Sequence, residues 1–297
     1  MALATISQFA SVMSITPTTA QKTSIGTALD QATGLIEGFT DRIFGQATYS
    51  KWYSTENYPA EPTIIWVDQY PITKISMVGV PSPVAQITNN NAAATISSVG
   101  YDANVVSLAW FATDGTENEV NIPVSTNKTL TTLKSAIEAN VGWQLNIDTQ
   151  YVNYPSVLIQ PFQASQTTGA SVQINLPVNN GLTGKIYDES GIQLNGTSSE
   201  IYAKYVSGYQ LSVDNADNTA LLVVGNVPKE LVFVCIQLAN DIMAFAKASL
   251  NSSGVSPNQI QSETLGDYSY SKFDTAKLEQ LVQKYQTILD KFTKKFF

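Results

Sequence analysis

Residues 227–247 read Val-Pro-Lys-Glu-Leu-Val-Phe-Val-Cys-Ile-Gln-Leu-Ala-Asn-Asp-Ile-Met-Ala-Phe-Ala-Lys. Leu231, Val234, Cys235, Leu238, Ile242, Phe245 and Ala246 recur at three- and four-residue intervals, which puts them on one stripe of a helix. Pro228 stands in the first turn, where its missing N–H costs no hydrogen bond. The same periodicity returns near both ends of the chain. Towards the start it is carried by Ile25, Leu29, Ala32, Leu35, Ile36, Phe39, Ile43 and Phe44. Ser24 is placed as an N-cap and Gly45 as a C-cap, and Gly34 and Gly38 are expected to let a neighbour approach closely. Towards the end it is carried by Leu278, Leu281, Val282, Tyr285, Ile288 and Leu289, ahead of the closing Lys291-Phe-Thr-Lys-Lys-Phe-Phe297.

Between these helical patterns the chain turns β-prone. Trp52–Tyr58, Thr63–Val67 and Ile75–Val80 are punctuated by Pro59, Pro62 and Pro71, which predicts short strands or edges. Val105–Ala112, Glu119–Val124, Val157–Phe162 and Ser171–Val178 read as strands, with Asp114-Gly115 as a tight turn between the first two. One helix, capped by Thr129 or Thr131 and carrying Leu130, Leu133, Ala136 and Ile137, interrupts them. Further on, Glu200–Gly208 reads as a strand, Leu221–Val224 as a short buried one, and residues 251–270 as a polar loop.

Charge divides the 297 residues in the same way. Basic and acidic residues number 4 and 6 over residues 1–83, 3 and 8 over 84–199, and 9 and 10 over 200–297. The middle unit is polar and acidic, which marks residues 84–199 as an inserted, mainly β domain with one helix. The outer blocks, 1–83 and 200–297, then form one discontinuous unit in an α+β chain.

Composition excludes several classes of chemistry. There is no histidine, so Ser-His-Asp and Cys-His triads, His-ligated metals and the usual general base near neutral pH are all ruled out. The single cysteine, Cys235, cannot form an intrachain disulfide, and its apolar surroundings suit a buried, inert thiol. The net charge of −8 includes no basic stripe of the kind that grips phosphates. The acidic groups Asp114, Glu117 and Glu119, and Asp214 with Asp217, lack the spacing of a calcium loop and read as charged turns. The matches to the glycosylation sequon at Asn127, Asn195 and Asn251 are expected to be chance, because residues 1–17, which carry no Lys or Arg, do not read as a secretory signal peptide. No catalytic residue, metal site or cofactor is expected.

Several short motifs, taken in order, resemble the head–tail connector (adaptor, or head-completion) family of tailed bacteriophages. The helical pattern Ala28–Phe44 is followed by the aromatic-rich Tyr49–Tyr58 and by Tyr70-Pro71-Ile72, with Ile75–Val78 after it. In the second block Tyr205-Val-Ser-Gly208-Tyr209 resembles the family's aromatic-Gly-Tyr turn, and Val227-Pro228-Lys-Glu-Leu231 the start of its long helix. Ser262-Glu263-Thr-Leu-Gly266-Asp267-Tyr268-Ser-Tyr270 resembles its Ser-Glu-x-x-Gly-Asp-Tyr-Ser loop. The likeness covers roughly 180 residues in two blocks and stops at the insert. It implies a helical-bundle core with short β-elements and a ring of copies of the chain, usually twelve. It further implies that the ring sits beneath the portal protein in the neck of the virion, assembled in the host cytoplasm.

Several expectations follow from the likeness. The distal side of the ring meets a stopper or tail-completion protein, and genomic DNA passes through without sequence-specific binding. An acidic wall suits such a conduit because it repels the phosphates. The portal-binding tail is expected at Lys291, Phe292, Lys294, Lys295, Phe296 and Phe297, mobile until it docks. A subunit interface is expected around Ser262, Glu263, Gly266, Asp267, Tyr268 and Tyr270. Two rival assignments are another virion structural protein, such as a tail terminator or decoration protein, and a glycan-binding receptor module formed by the insert. No membrane association is expected.

Overall fold

The structure is a computed structural model that describes residues 2–55, 63–251, 260–265, 268–273 and 280–293. In chain order it begins with α1 (Ile6–Met13), α2 (Thr19–Thr40), β1 (Ala47–Ser54), β2 (Ile64–Trp66) and β3 (Ile72–Asn89). Then come β4 (Ala94–Asp102), β5 (Val105–Ala112), β6 (Glu117–Pro123), α3 (Leu130–Glu138), β7 (Trp143–Ile147), β8 (Phe162–Thr167) and β9 (Ser171–Val178). The last third holds β10 (Gly184–Ile186), β11 (Gly191–Leu194), β12 (Glu200–Ser207), β13 (Val213–Asp214), β14 (Leu221–Val223) and α4 (Lys229–Asn251). It closes with β15 (Ile260–Leu265), β16 (Tyr268–Phe273) and the short helix α5 (Gln286–Leu289).

The expected helical-bundle core with short β-elements is corrected by this architecture. Strand makes up 38% and helix 28%, in multiple antiparallel sheets. Helices α1, α2, α4 and α5 form one of the three hydrophobic cores among the described residues. Ile25, Leu29 and Ile36 of α2 pack there against Leu231, Val234 and Leu238 of α4, with Phe9, Val282 and Leu289 filling in from the ends of the chain. A second core lies between β1, β12, β3 and the small sheet β10-β11-β2, where Tyr53, Ile65, Ile72, Val78, Ile192 and Tyr205 are buried together. The third fills the insert, between β3, β7 and β9 on one side and β6-β5-β4-β8 on the other, with Leu130, Leu133 and Ile137 of α3 packed in. β10 and β11 lie within the compositional insert by sequence, but Leu182, Ile192 and Leu194 are buried with Ile65 in the second core.

The 18-residue strand β3 explains why the β content exceeds the expectation. Its first half pairs with β12 as far as Gly79, its second half with β7 from Ala85, and β9 flanks it from Val80 to Thr88. Pro81 and Pro83 stand where β3 passes from one partner to the next. Among the described residues one edge of the strand has no partner there, so a missing N–H removes no ladder bond. The 83/84 position suggested by composition therefore lies inside a continuous strand.

Other local expectations change in detail. α2 starts earlier than Ser24, because Thr18 and Gln21 form a capping box, and it ends at Asp41 in the left-handed conformation (φ 51°) rather than at Gly45. A Cβ at Gly34 or Gly38 would meet nothing within 4 Å, so neither glycine serves close packing. Residues 156–158 form a 3-10 turn instead of opening a strand. Around β14, Leu222 and Val224 are 72% and 76% exposed, so that strand is not buried. The expected polar loop at residues 251–270 contains β15, which pairs with β16. Leu278 lies outside the described residues.

Candidate functional site

Asp41 turns the chain out of α2 and delivers Arg42 into the interior, where only 3% of it is exposed. The Arg42 Nη1 donates to the Phe292 carbonyl at 2.8 Å, and Nη2 donates to the Tyr70 carbonyl. The guanidinium lies over the Tyr70 ring, 3.5 Å from its centroid, and within 5.0 Å of that of Phe44. Burial pulls the Arg42 pKa below its ordinary value, against the opposing pull of Tyr70, Tyr209 and Glu189. Carbonyls and ring faces can hold this cation because both present negative partial charge to it.

Four chain segments meet at this point. The Phe44 ring stacks on Tyr209 and takes Phe292 edge-on, both at 6.4 Å between centroids. The Tyr209 N–H donates to the Phe44 carbonyl at 2.7 Å, the Gln46 N–H to the Tyr209 carbonyl at 3.0 Å, and the Gly208 N–H to the Pro71 carbonyl at 2.9 Å. Gly208 has φ +99°, and a Cβ there would lie 2.5 Å from the Gly45 carbonyl oxygen, so the turn admits no side chain. The Tyr70 hydroxyl donates to the Thr293 carbonyl at 2.9 Å. The Tyr70–Pro71 peptide bond is cis.

The expected portal-binding tail thus begins as part of its own subunit. Phe292 is half-buried against the helical core, held from the backbone by Arg42, and Lys291 lies 3.9 Å from Glu230 in an exposed pair. Lys294, Lys295, Phe296 and Phe297 lie outside the described residues. Upstream, Lys284 Nζ and the Tyr285 hydroxyl both donate to Asp241 at 2.9 Å and tie the closing segment to α4. The family-motif segment is a hairpin rather than a loop: Ser262 faces Ser271, Glu263 faces Tyr270 and Leu265 faces Tyr268 across it. Gly266 and Asp267 lie outside the described residues.

Reactive groups are sparse. Cys235 is fully buried, and burial pushes its thiol up to about 11. Asp114 accepts from the Thr116 N–H in the turn after β5, which lowers its pKa. Among the described residues no three His, Cys, Asp or Glu side chains group as metal ligands, and no helix is long and apolar enough to cross a membrane.

Sequence reasoning missed an open groove of about 690 Å³ between α1, the β13–β14 hairpin and the start of α4, lined in part by Val12, Leu221, Val224, Phe233 and Ile236. Phe233 is 48% exposed. Its place off the buried stripe of α4 was the available signal. No protein-family model matches the chain, and no curated protein matches it.

Proposed function

We propose that the chain is a structural subunit of a bacteriophage neck ring that binds the portal and carries the DNA channel on towards the tail. The observation that supports this most is the meeting of the resembling motifs at Arg42. Residues 42–46, Tyr70-Pro71, Gly208-Tyr209 and Phe292-Thr293 are far apart in sequence, yet they interlock through aromatic rings and main-chain hydrogen bonds. Such a node holds a shape and performs no chemistry. The acidic balance, −8 overall, suits a wall along which DNA slides.

In this reading the ring contact is heterologous, closing because each subunit is rotated by the same angle on a portal template. The protein then acts as a scaffold with no substrate and no cofactor. Purified protein mixed with portal rings should co-sediment with them at a fixed subunit ratio. Failure to bind, or one or two copies per portal ring, would overturn the proposal. Glycan-array binding by the full chain without portal binding would favour the receptor reading instead.

A further inference from the structure

The insert buries hydrogen-bonding atoms that its own residues leave unmatched. Asn89 and Ser97 are both fully buried, yet Asn89 Nδ2, Ser97 Oγ and both amide atoms of Gln166 have no hydrogen-bond partner among the described residues. The strands place these side chains on the inward faces of two sheets that share one core. Ser97 of β4 and Gln166 of β8 are direct cross-strand partners, and Ser97 shares the inward face of Val99 and Tyr101. Cross-strand partners stand about 5 Å apart at Cβ. Asn89 ends β3 on the same face as Ile87, opposite Trp143, and that face looks onto the same core from the other sheet.

The connecting loops tie the two strand ends to each other. The Gly169 N–H donates to the Asn89 carbonyl at 2.8 Å, the Ala94 N–H donates to the Asn91 carbonyl at 3.0 Å, and the Thr168 hydroxyl donates to the Ala94 carbonyl. Asn89, Ser97 and Gln166 therefore cap one end of the sandwich interior. Elsewhere the apolar side chains Ile87, Val99, Leu108, Leu145 and Ile174 fill it.

Unmatched buried polar atoms destabilise a fold unless something else bonds them. The four atoms form a neutral set: two amide donors, one amide acceptor and a hydroxyl that can act either way. Such a set has no net charge to hold an ion. A water molecule matches it, since a buried water makes about three bonds, donating and accepting at once.

We propose that the insert contains a structural hydration site, with one or two water molecules held by Asn89, Ser97 and Gln166. These waters join the end of β3 to β4 and β8, so that the two sheets are linked there by hydrogen bonds as well as by packing. The site is independent of the role proposed for the whole chain.

A high-resolution crystal structure of the full chain tests the proposal. It predicts solvent density within hydrogen-bonding distance of at least two of the four atoms. Amide protons of the Asn89 and Gln166 side chains should also show exchange-independent cross-peaks to a long-lived water in NMR spectra. In the Ser97→Ala, Gln166→Leu double variant the Asn89 cross-peaks should disappear. If that variant does not fold, the wild-type density and spectra still decide. Direct bonds among Asn89, Ser97 and Gln166 with no solvent density between them would overturn the proposal, as would density for an ion or an organic ligand.

Discussion

Replacing Arg42 by alanine tests whether the node is held by its buried cation. The substitution removes donors from the Phe292 and Tyr70 carbonyls and the charge from above the Tyr70 ring. An unsatisfied buried polar group costs about 1–3 kcal/mol, and a desolvated cation–π contact contributes about 0.5–2 kcal/mol. Against this stands the cost of keeping the cation out of water, which the lowered Arg42 pKa reflects and which alanine relieves. Because the carbonyls are left without donors and the side chain leaves a cavity, the net loss should be about 2–4 kcal/mol. Arg42→Met, which refills the space, should lose about 1–2 kcal/mol, since the unmatched carbonyls remain and the cavity does not. Urea unfolding followed by tryptophan fluorescence measures both changes. Hydrogen exchange should speed up at residues 289–293 in each variant. An alanine variant within about 0.5 kcal/mol of wild type, the range of an ordinary surface change, would refute the reasoning.

Three further outcomes are expected. Gly208→Ala should cost at least about 1–3 kcal/mol through strain and the clash with Gly45, whereas Gly38→Ala should stabilise α2 by about 0.5–1 kcal/mol, both read as shifts in urea midpoint. The Cys235 thiol should resist labelling in the native protein. Its pKa is raised on folding from 9.0 to about 11, so its contribution to stability is complete below pH 9 and is lost as pH rises towards 11; a pH series of thermal melts reads the decline. Leu133→Ala should destabilise the insert by about 2–5 kcal/mol, since the side chain is fully buried between α3 and the sheets, and urea unfolding would record it.

Much of the fold was legible where one periodicity ran without interruption. Ile25, Leu29, Ala32 and Ile36 of α2, and Leu231, Val234, Cys235 and Leu238 of α4, are buried as their spacing requires. β5 and β9 occupy the residues that their β-branched runs marked, Val105–Ala112 and Ser171–Val178. What was illegible depended on partners distant in sequence. The strand read from Ile75 stopped at Val80, because nothing local reveals that β3 runs on through Pro81 and Pro83 to Asn89 by changing partner around them. The hairpin of β15 and β16 read as a loop because its polar letters carry little β signal without the pairing. At the node, the glycine-aromatic pair Gly208-Tyr209 was visible, but Arg42 was not singled out, because a lone arginine after a helix usually faces solvent. Its burial follows from Tyr70 and Phe292, which lie 28 and 250 residues away.

Electron microscopy of the purified chain, alone and mixed with portal rings, tests the central claim most directly. A monomer or small oligomer is expected alone, and a closed ring of this chain seated on the portal, coaxial with the DNA channel, once the two are mixed. Particles in which the portal is bare, or carries isolated copies away from its channel, would contradict it.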